Sequence, residues 1–345
     1  MTRPSFAARV VLWQRTHGRH DLPWQNTRDP YRIWLSEVML QQTQVATVIP
    51  YYTGFLAEFP DVGALAAAPL ARVLEHWSGL GYYRRAHHLH AAAKGVVADF
   101  AGAFPLAPEL IATLPGIGRS TAAAIATFAG GARAPILDGN VKRVLARHQG
   151  IAGFPGTARV EARLWQIAET LLPARNAIAY TQGLMDLGAT VCTRTKPCCD
   201  TCPVAADCVA RCTARVGELP SPRPRRALPQ RVVRVLVLER AGEILLERRP
   251  AVGIWGGLWS LPETPPGEDV ARHCRARFGA SVDAGEELPA IEHAFTHYRL
   301  TILPQRIAVR SWPRRAESPG LAWLTREDAA TAALPAPIRR LLRGL

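Results

Sequence analysis

The chain has 345 residues, 48% of them hydrophobic, and a formal net charge of +14. That length is large for one domain and comfortable for two, and so basic a balance points to a polyanionic partner, nucleic acid before an acidic membrane surface, although an arginine-rich chain can also simply be basic. No stretch approaches the roughly twenty apolar residues of a membrane span, and the charged segment 1–20 lacks the apolar core of a secretory signal, so a cytoplasmic, reducing setting is expected, in which clustered cysteines serve as metal ligands rather than disulfides.

The first 200 or so residues read as helical, with Ala- and Leu-rich periodic segments between short Pro/Gly breaks. Asp29-Pro30 is a helix start, Asp as N-cap and Pro at the first position. The helix is expected to run from Tyr31 to Gln44, placing Glu37 among Ile33, Trp34 and Leu40. A carboxyl among apolar neighbours is desolvated, which raises its pKa and suits a general acid near neutral pH. A lone helical glutamate is more often simply a surface residue.

Leu114-Pro-Gly-Ile-Gly-Arg-Ser-Thr-Ala122 lies between two helical segments. Gly116 and Gly118 permit a tight turn whose N–H groups, with the next helix's N-terminus, can face a phosphate. Such contacts hold DNA without reading it; alone, the motif is equally an ordinary turn. Asp138, in Pro135-Ile-Leu-Asp-Gly-Asn-Val141, precedes another helix. It reads as an N-cap and as a carboxylate kept ionised by the helix end. One protonated carboxyl and one charged carboxylate are the division of labour that glycosidic bond cleavage requires.

Four of the seven cysteines, Cys192, Cys199, Cys202 and Cys208, stand as C-x6-C-x2-C-x5-C. Four thiolates so placed can close around one zinc ion or one iron–sulfur cluster, and the residues alone leave both open. Cys198, beside Cys199, competes for a place in the set. Cys212 and Cys274 read as packing residues. Residues 215–230 form a basic, Pro-rich linker. Beyond it the pattern turns to strands: Val232–Leu238, a turn at Ala241-Gly242, Ile244–Leu246, and an alternation through Tyr298, Leu300 and Ile302.

Taken together, Leu22-Pro-Trp-Gln25, the stretch Trp34 to Pro50, Gly79-Leu-Gly-Tyr-Tyr83, the hairpin, the Asp138 segment and the cysteine spacing resemble the MutY family of adenine DNA glycosylases along essentially the whole chain. This is a helix-hairpin-helix, iron–sulfur family with a C-terminal MutT-like domain. The resemblance implies a multidomain fold: an all-α module over 1–214 (a six-helix barrel at about 25–135, a cluster domain from 1–24 and 136–214), then an α+β Nudix-like domain over 231–345. It implies a [4Fe–4S] cluster on Cys192, Cys199, Cys202 and Cys208. Glu37 would protonate adenine at N7, Asp138 would stabilise or capture the oxocarbenium ion, and Asn140 would orient the site. Trp24, Gln25 and Gln182 would line the adenine pocket. Gln42 and Tyr82 would intercalate with Leu80 wedged beside them, while Tyr83 and Trp34 are equally core aromatics. The implied partner is double-stranded DNA containing an A·8-oxoguanine or A·G mispair, served by a monomer.

Ser120 stands where the related strand-cleaving lyases carry a Schiff-base lysine, which implies a monofunctional glycosylase. Lys142, close to Asp138 in sequence, reads as a phosphate contact or a solvated residue. In the C-terminal domain Arg272–Gly279 occupies the place of the Nudix box, but His273, Ala276 and Arg277 replace its carboxylates. Without them there is no magnesium cage. The fold would then read 8-oxoguanine, through Phe295-Thr296-His297, where the family has Phe-Ser-His. Two rival readings are an endonuclease III-like lyase, against which Glu37, Ser120 and the C-terminal domain count, and a non-catalytic lesion-binding protein.

Overall fold

Ala- and Leu-rich periodicity gives way to β-branched alternation near residue 230, and secondary structure changes at the same place. The computed structural model describes residues 4–224, 227–313 and 320–345, so Arg225 and Arg226 of the expected linker lie outside the described residues. Two compact units are present, Met1–Ala68 with His88–Arg225, and Pro69–His87 with Arg226–Leu345. No helix among the described residues is long and apolar enough to cross a membrane.

In the first unit Ser5 caps helix Phe6–His17 by accepting from the Ala8 N–H. This helix packs along Ala177–Asp186. Val10, Trp13, Leu145, Leu164, Tyr180 and Leu184 share its core. Helix Pro30–Leu40 begins as its sequence dictates: Asp29 accepts from the Tyr31 N–H at 2.9 Å and Pro30 takes the first turn. It ends at Leu40, short of the expected Gln44, because Gln42 is left-handed at φ 57° and a right-handed helix cannot pass through such a residue. A separate helix, Val45–Glu58, follows. Ile33, Trp34, Leu35, Val38 and Met39 bury the inner face of Pro30–Leu40, which packs on Val45–Glu58 and on Arg119–Gly130. Asp138 caps Gly139–His148. Helix Ala177–Asp186 passes into a π-helical turn, Leu187–Val191, a feature the sequence reading did not anticipate.

The second unit is built on a mixed sheet. Strand Gln230–Arg240 turns at Ala241-Gly242 into the antiparallel strand Glu243–Arg248. It also pairs in parallel with Arg299–Ser311, from Gln230 opposite Arg299 to Glu239 opposite Ala308. Leu321–Thr325 and Ile291–Ala294 extend the sheet. Tyr298, Leu300 and Ile302 are buried at the expected alternate positions, with Val235, Val237, Ile244 and Leu246. Helix Leu70–Trp77 and the loop after it belong to this unit.

Candidate functional site

Helix Pro30–Leu40 turns Ile33, Ser36, Glu37 and Leu40 toward a cleft of about 1200 Å³ in the first unit. Its other walls bring Asp138, Asn140, Trp24, Gln25 and Gln182 to the same space. Glu37 is half-buried. Burial, helped by the nearby charge of Asp138, pushes its carboxyl up to about 8, so it holds its proton at neutral pH.

Asp138 differs from the expectation of a carboxyl held low by its helix end. The N–H groups of Val141 (2.7 Å) and Asn140, with Arg143 and Lys142, do pull it down. Burial outweighs them and raises it above the ordinary carboxylate range. The two carboxyls are nevertheless unequal. Asp138 has donors and cations around it, and its charge is what adds to burial in holding the proton on Glu37. That asymmetry orders the pair, with Asp138 ionising first.

Asn140 is held by a group that the sequence reading missed. Arg143 donates to Asn140 Oδ1 at 2.8 Å, to the Gly188 carbonyl at 2.6 Å and to the Cys192 carbonyl at 2.7 Å. Gly188, in the π-helical turn, lies so close that a Cβ there would stand 2.6 Å from Asn140 Cβ. Lys142 pairs with Glu161 at 2.6 Å.

Gln25 accepts from the Leu22 N–H through Oε1, and its Nε2 is buried without a partner. An orphan donor facing a cleft is a place for a ligand acceptor. Trp24 is buried, edge-on to Tyr52 at 5.3 Å. Gln182 donates to Asp186 at 2.9 Å, leaving its carbonyl oxygen for the cleft. Asp186 is fully buried and receives the Arg19 backbone N–H and guanidinium at 3.0 and 2.7 Å. Neither Arg19 nor Asp186 belongs to any motif; only the fold brings them together. Asp186→Asn is expected to lower stability by about 2–3 kcal/mol, because a buried anion that serves several donors is lost, and thermal denaturation would read it.

The hairpin joins Pro108–Ile111 to Arg119–Gly130, whose N-cap, Gly118, offers no side chain. Gly116 is left-handed at φ 79°, and a Cβ there would strike His88 at 2.6 Å. The exposed turn leaves the uncapped helix end open to an anion. Ser120 accepts from the Leu137 N–H at 2.8 Å, so its hydroxyl anchors the residue before Asp138. Gln42 is exposed in the first unit. In the second, Tyr82 is exposed and left-handed at φ 49°, while Leu80 and Tyr83 are buried. Trp34 is wholly buried.

Cys192, Cys199, Cys202 and Cys208 are half-buried and line one small cavity, which Cys198 also borders. Cys198 is exposed, whereas Cys192, Cys199 and Cys208 act on Cys202, whose thiol burial pushes up to about 11. Four thiols around one shared cavity are a donor set that fits an iron–sulfur core. Buried Arg147 clamps the loop through the Leu219, Thr193 and Arg194 carbonyls and reaches Cys192 Sγ at 3.4 Å, which places a cation beside the four thiols. Cys274 is buried as a packing residue should be, but Cys212 is exposed and is not one.

In the second unit, helix Val270–Phe278 holds the degenerate box. The nearby Glu247 and Glu263 are ion-paired to Arg277 and Arg249, and His273 lies 3.3 Å from Glu268. Phe295 stacks on Tyr298 at 4.6 Å, beside His293 (4.5 Å) and Trp255 (5.3 Å); Thr296 and His297 are exposed. Trp255, left-handed at φ 56°, was not foreseen as part of this aromatic group.

Comparison with known proteins matches residues 35–170 to the HhH-GPD superfamily base excision DNA repair protein model and 234–344 to the NUDIX domain model. An adenine DNA glycosylase of Buchnera aphidicola is 34% identical over 345 residues, covering 100% of this chain and 98% of its own. The human adenine DNA glycosylase is 34% identical over 402 residues, covering 98% of this chain and 73% of its own. A solved thermostable thymine-DNA glycosylase superposes with TM-score 0.55 at 30% identity, covering 60% of this chain and 95% of that one. An endonuclease III–DNA complex, 19% identical over 60% of this chain and 94% of that one, shares the helical fold with TM-score 0.51.

Proposed function

The chain belongs to the adenine DNA glycosylase family, and from that premise we propose that it releases adenine mispaired with 8-oxoguanine, or with guanine, from duplex DNA. The observation that carries the reading is the carboxyl pair in one cleft, with Glu37 protonated near neutral pH and Asp138 surrounded by donors and cations.

The target adenine leaves the stack, at about a few kcal/mol, and enters the cleft beside Trp24. The Gln25 amide donates to a ring nitrogen and the Gln182 oxygen accepts from the exocyclic amine. Glu37 gives its proton to N7 as the C1′–N9 bond breaks, the bonding pair passing to N9, so that adenine leaves neutral. The Asp138 carboxylate steadies the positive charge left on the sugar. Water adds at C1′, and its proton returns to Glu37. Asn140 orients Asp138's surroundings and Arg143 fixes Asn140. Gly116, Gly118 and the helix end at Ser120 hold a backbone phosphate, the exposed Gln42 and Tyr82 insert into the stack, buried Leu80 supports the loop that carries Tyr82, and Phe295-Thr296-His297 reads the opposite base. Cys192, Cys199, Cys202 and Cys208 would hold a [4Fe–4S] cluster, which would tie the loop around Cys192 to the first unit's helices.

Ser120 has no amine, so strand cleavage is not expected. Single-turnover reactions on A·8-oxoguanine duplexes should release adenine and give strand breaks only after alkali. Breaks without alkali on oxidised-pyrimidine duplexes would move the protein to the lyases, and binding without base release would make it a lesion-binding module.

A further inference from the structure

The loop 78–83 presents Tyr82 on left-handed backbone, a conformation that persists only where its surroundings impose it. Those surroundings include the C-terminal domain. The buried Tyr83 hydroxyl accepts from the Gly79 N–H at 3.1 Å and donates to the Leu334 carbonyl at 3.2 Å, spanning the loop and the segment before the last helix. From that helix, Ala336–Arg343, Arg339 donates to the Ser78 hydroxyl and to the Ala332 carbonyl. Beyond the loop, a ring nitrogen of His87 hydrogen-bonds the Gly256 carbonyl at 2.9 Å. Gly257 approaches helix Leu70–Trp77 so closely that a Cβ would stand 3.0 Å from Leu74. Within the loop, Trp77 and Arg85 both donate to the Gly81 carbonyl, and the Arg85 guanidinium lies over the Trp77 and Tyr82 rings. These contacts make 69–87 one compact unit with the sheet domain.

We propose that Tyr83, with Arg339 behind Ser78, is a positioning residue through which the C-terminal domain sets Tyr82, so that recognition of the base opposite adenine is coupled to insertion of the Tyr82 ring. This rests on reading Tyr82 as the intercalating residue and Phe295-Thr296-His297 as the reader of that base. The Tyr83 hydroxyl suits the task because it is satisfied on both sides: loop donor in, domain acceptor out. Phenylalanine keeps the ring's packing and removes only the bridge.

The test compares full-length wild type, Tyr83→Phe and Arg339→Gln in single-turnover adenine release from A·8-oxoguanine and A·G duplexes. The same duplexes with 2-aminopurine replacing adenine report unstacking by fluorescence. Tyr83→Phe should lose about ten-fold of the preference for the 8-oxoguanine duplex, a typical size for a coupling between sites. The A·G rate should stay within about two-fold, and the fluorescence rise should shrink mainly on the 8-oxoguanine duplex. Arg339→Gln, which cuts the second tether, should follow the same pattern and guards against a folding defect in the first variant. An unchanged preference in folded Tyr83→Phe overturns the coupling, as do equal losses on both duplexes that track a lowered Tm. A wild type without any preference removes the reading of the opposite base itself, and the coupling with it.

Discussion

Glu37→Gln is expected to slow single-turnover adenine release by about 10²–10⁴-fold, the usual contribution of a positioned general acid, while duplex affinity stays within a few-fold. Glutamine keeps the shape and the cleft but has no acid proton for N7. The pH dependence has a definite sign. A Glu37 carboxyl near 8 is protonated and competent below that value, so the wild-type rate should fall as pH rises through about 8. Stability should move with it. The folded value lies above the ordinary 4.5, so Glu37's contribution is fully present below about 4.5 and is lost as pH rises through about 8. Each pH unit inside that window removes up to about 1.4 kcal/mol. Glu37→Gln has no such titration. Its Tm should therefore decline less than the wild type's between pH 5 and pH 8. A variant that keeps near-wild-type excision, or a wild-type rate that rises above pH 8, would remove Glu37 from the acid's role.

Much of this site was legible because its signals are local. Asp29-Pro30 starts a helix by capping chemistry within three residues, Asp138 caps helix Gly139–His148 by the same rule, and the cysteine spacing is contained in one loop. The strands were readable because alternate burial leaves its period in the sequence. What escaped was tertiary. Arg143 earns its place by reaching Asn140, Gly188 and Cys192 at once, and Asp186 by meeting Arg19 from the far end of the module. No motif carries either. The sign of the Asp138 shift failed for the same reason: a helix end is a local rule, while the desolvation that overrides it comes from the cleft walls. Helix Pro30–Leu40 ends where no glycine or proline announces it, at a left-handed Gln42. The membership of 69–87 in the second unit depends on Tyr83, Ser78 and His87 finding partners that lie more than 150 residues away in the chain.

Asp138 carries two duties that substitution can separate. Its oxygen caps helix Gly139–His148 through the Val141 N–H at 2.7 Å, and in the proposed mechanism its charge would face the sugar. Asparagine is as good an N-cap as aspartate but carries no charge. Asp138→Asn should therefore keep the wild-type Tm, or exceed it since a desolvated carboxyl is gone, while adenine release falls by about 10³-fold, the scale on which a preorganised electrostatic group acts. Asp138→Ala should lose a comparable amount of rate and in addition about 1 kcal/mol of stability with the cap. Equal rates with unequal melting temperatures would locate the catalytic contribution in the charge and the structural one in the hydrogen bond. If Asp138→Asn instead retained a tenth or more of the wild-type rate, the anion would not be what stabilises the sugar cation. The raised carboxyl would then mark a proton-bearing partner of Glu37, and the roles of the pair would have to be exchanged. The pH profile separates these cases, because with the roles exchanged Glu37 would have to be ionised and the rate would rise with pH through about 8, opposite in sign to the fall expected when Glu37 is the acid.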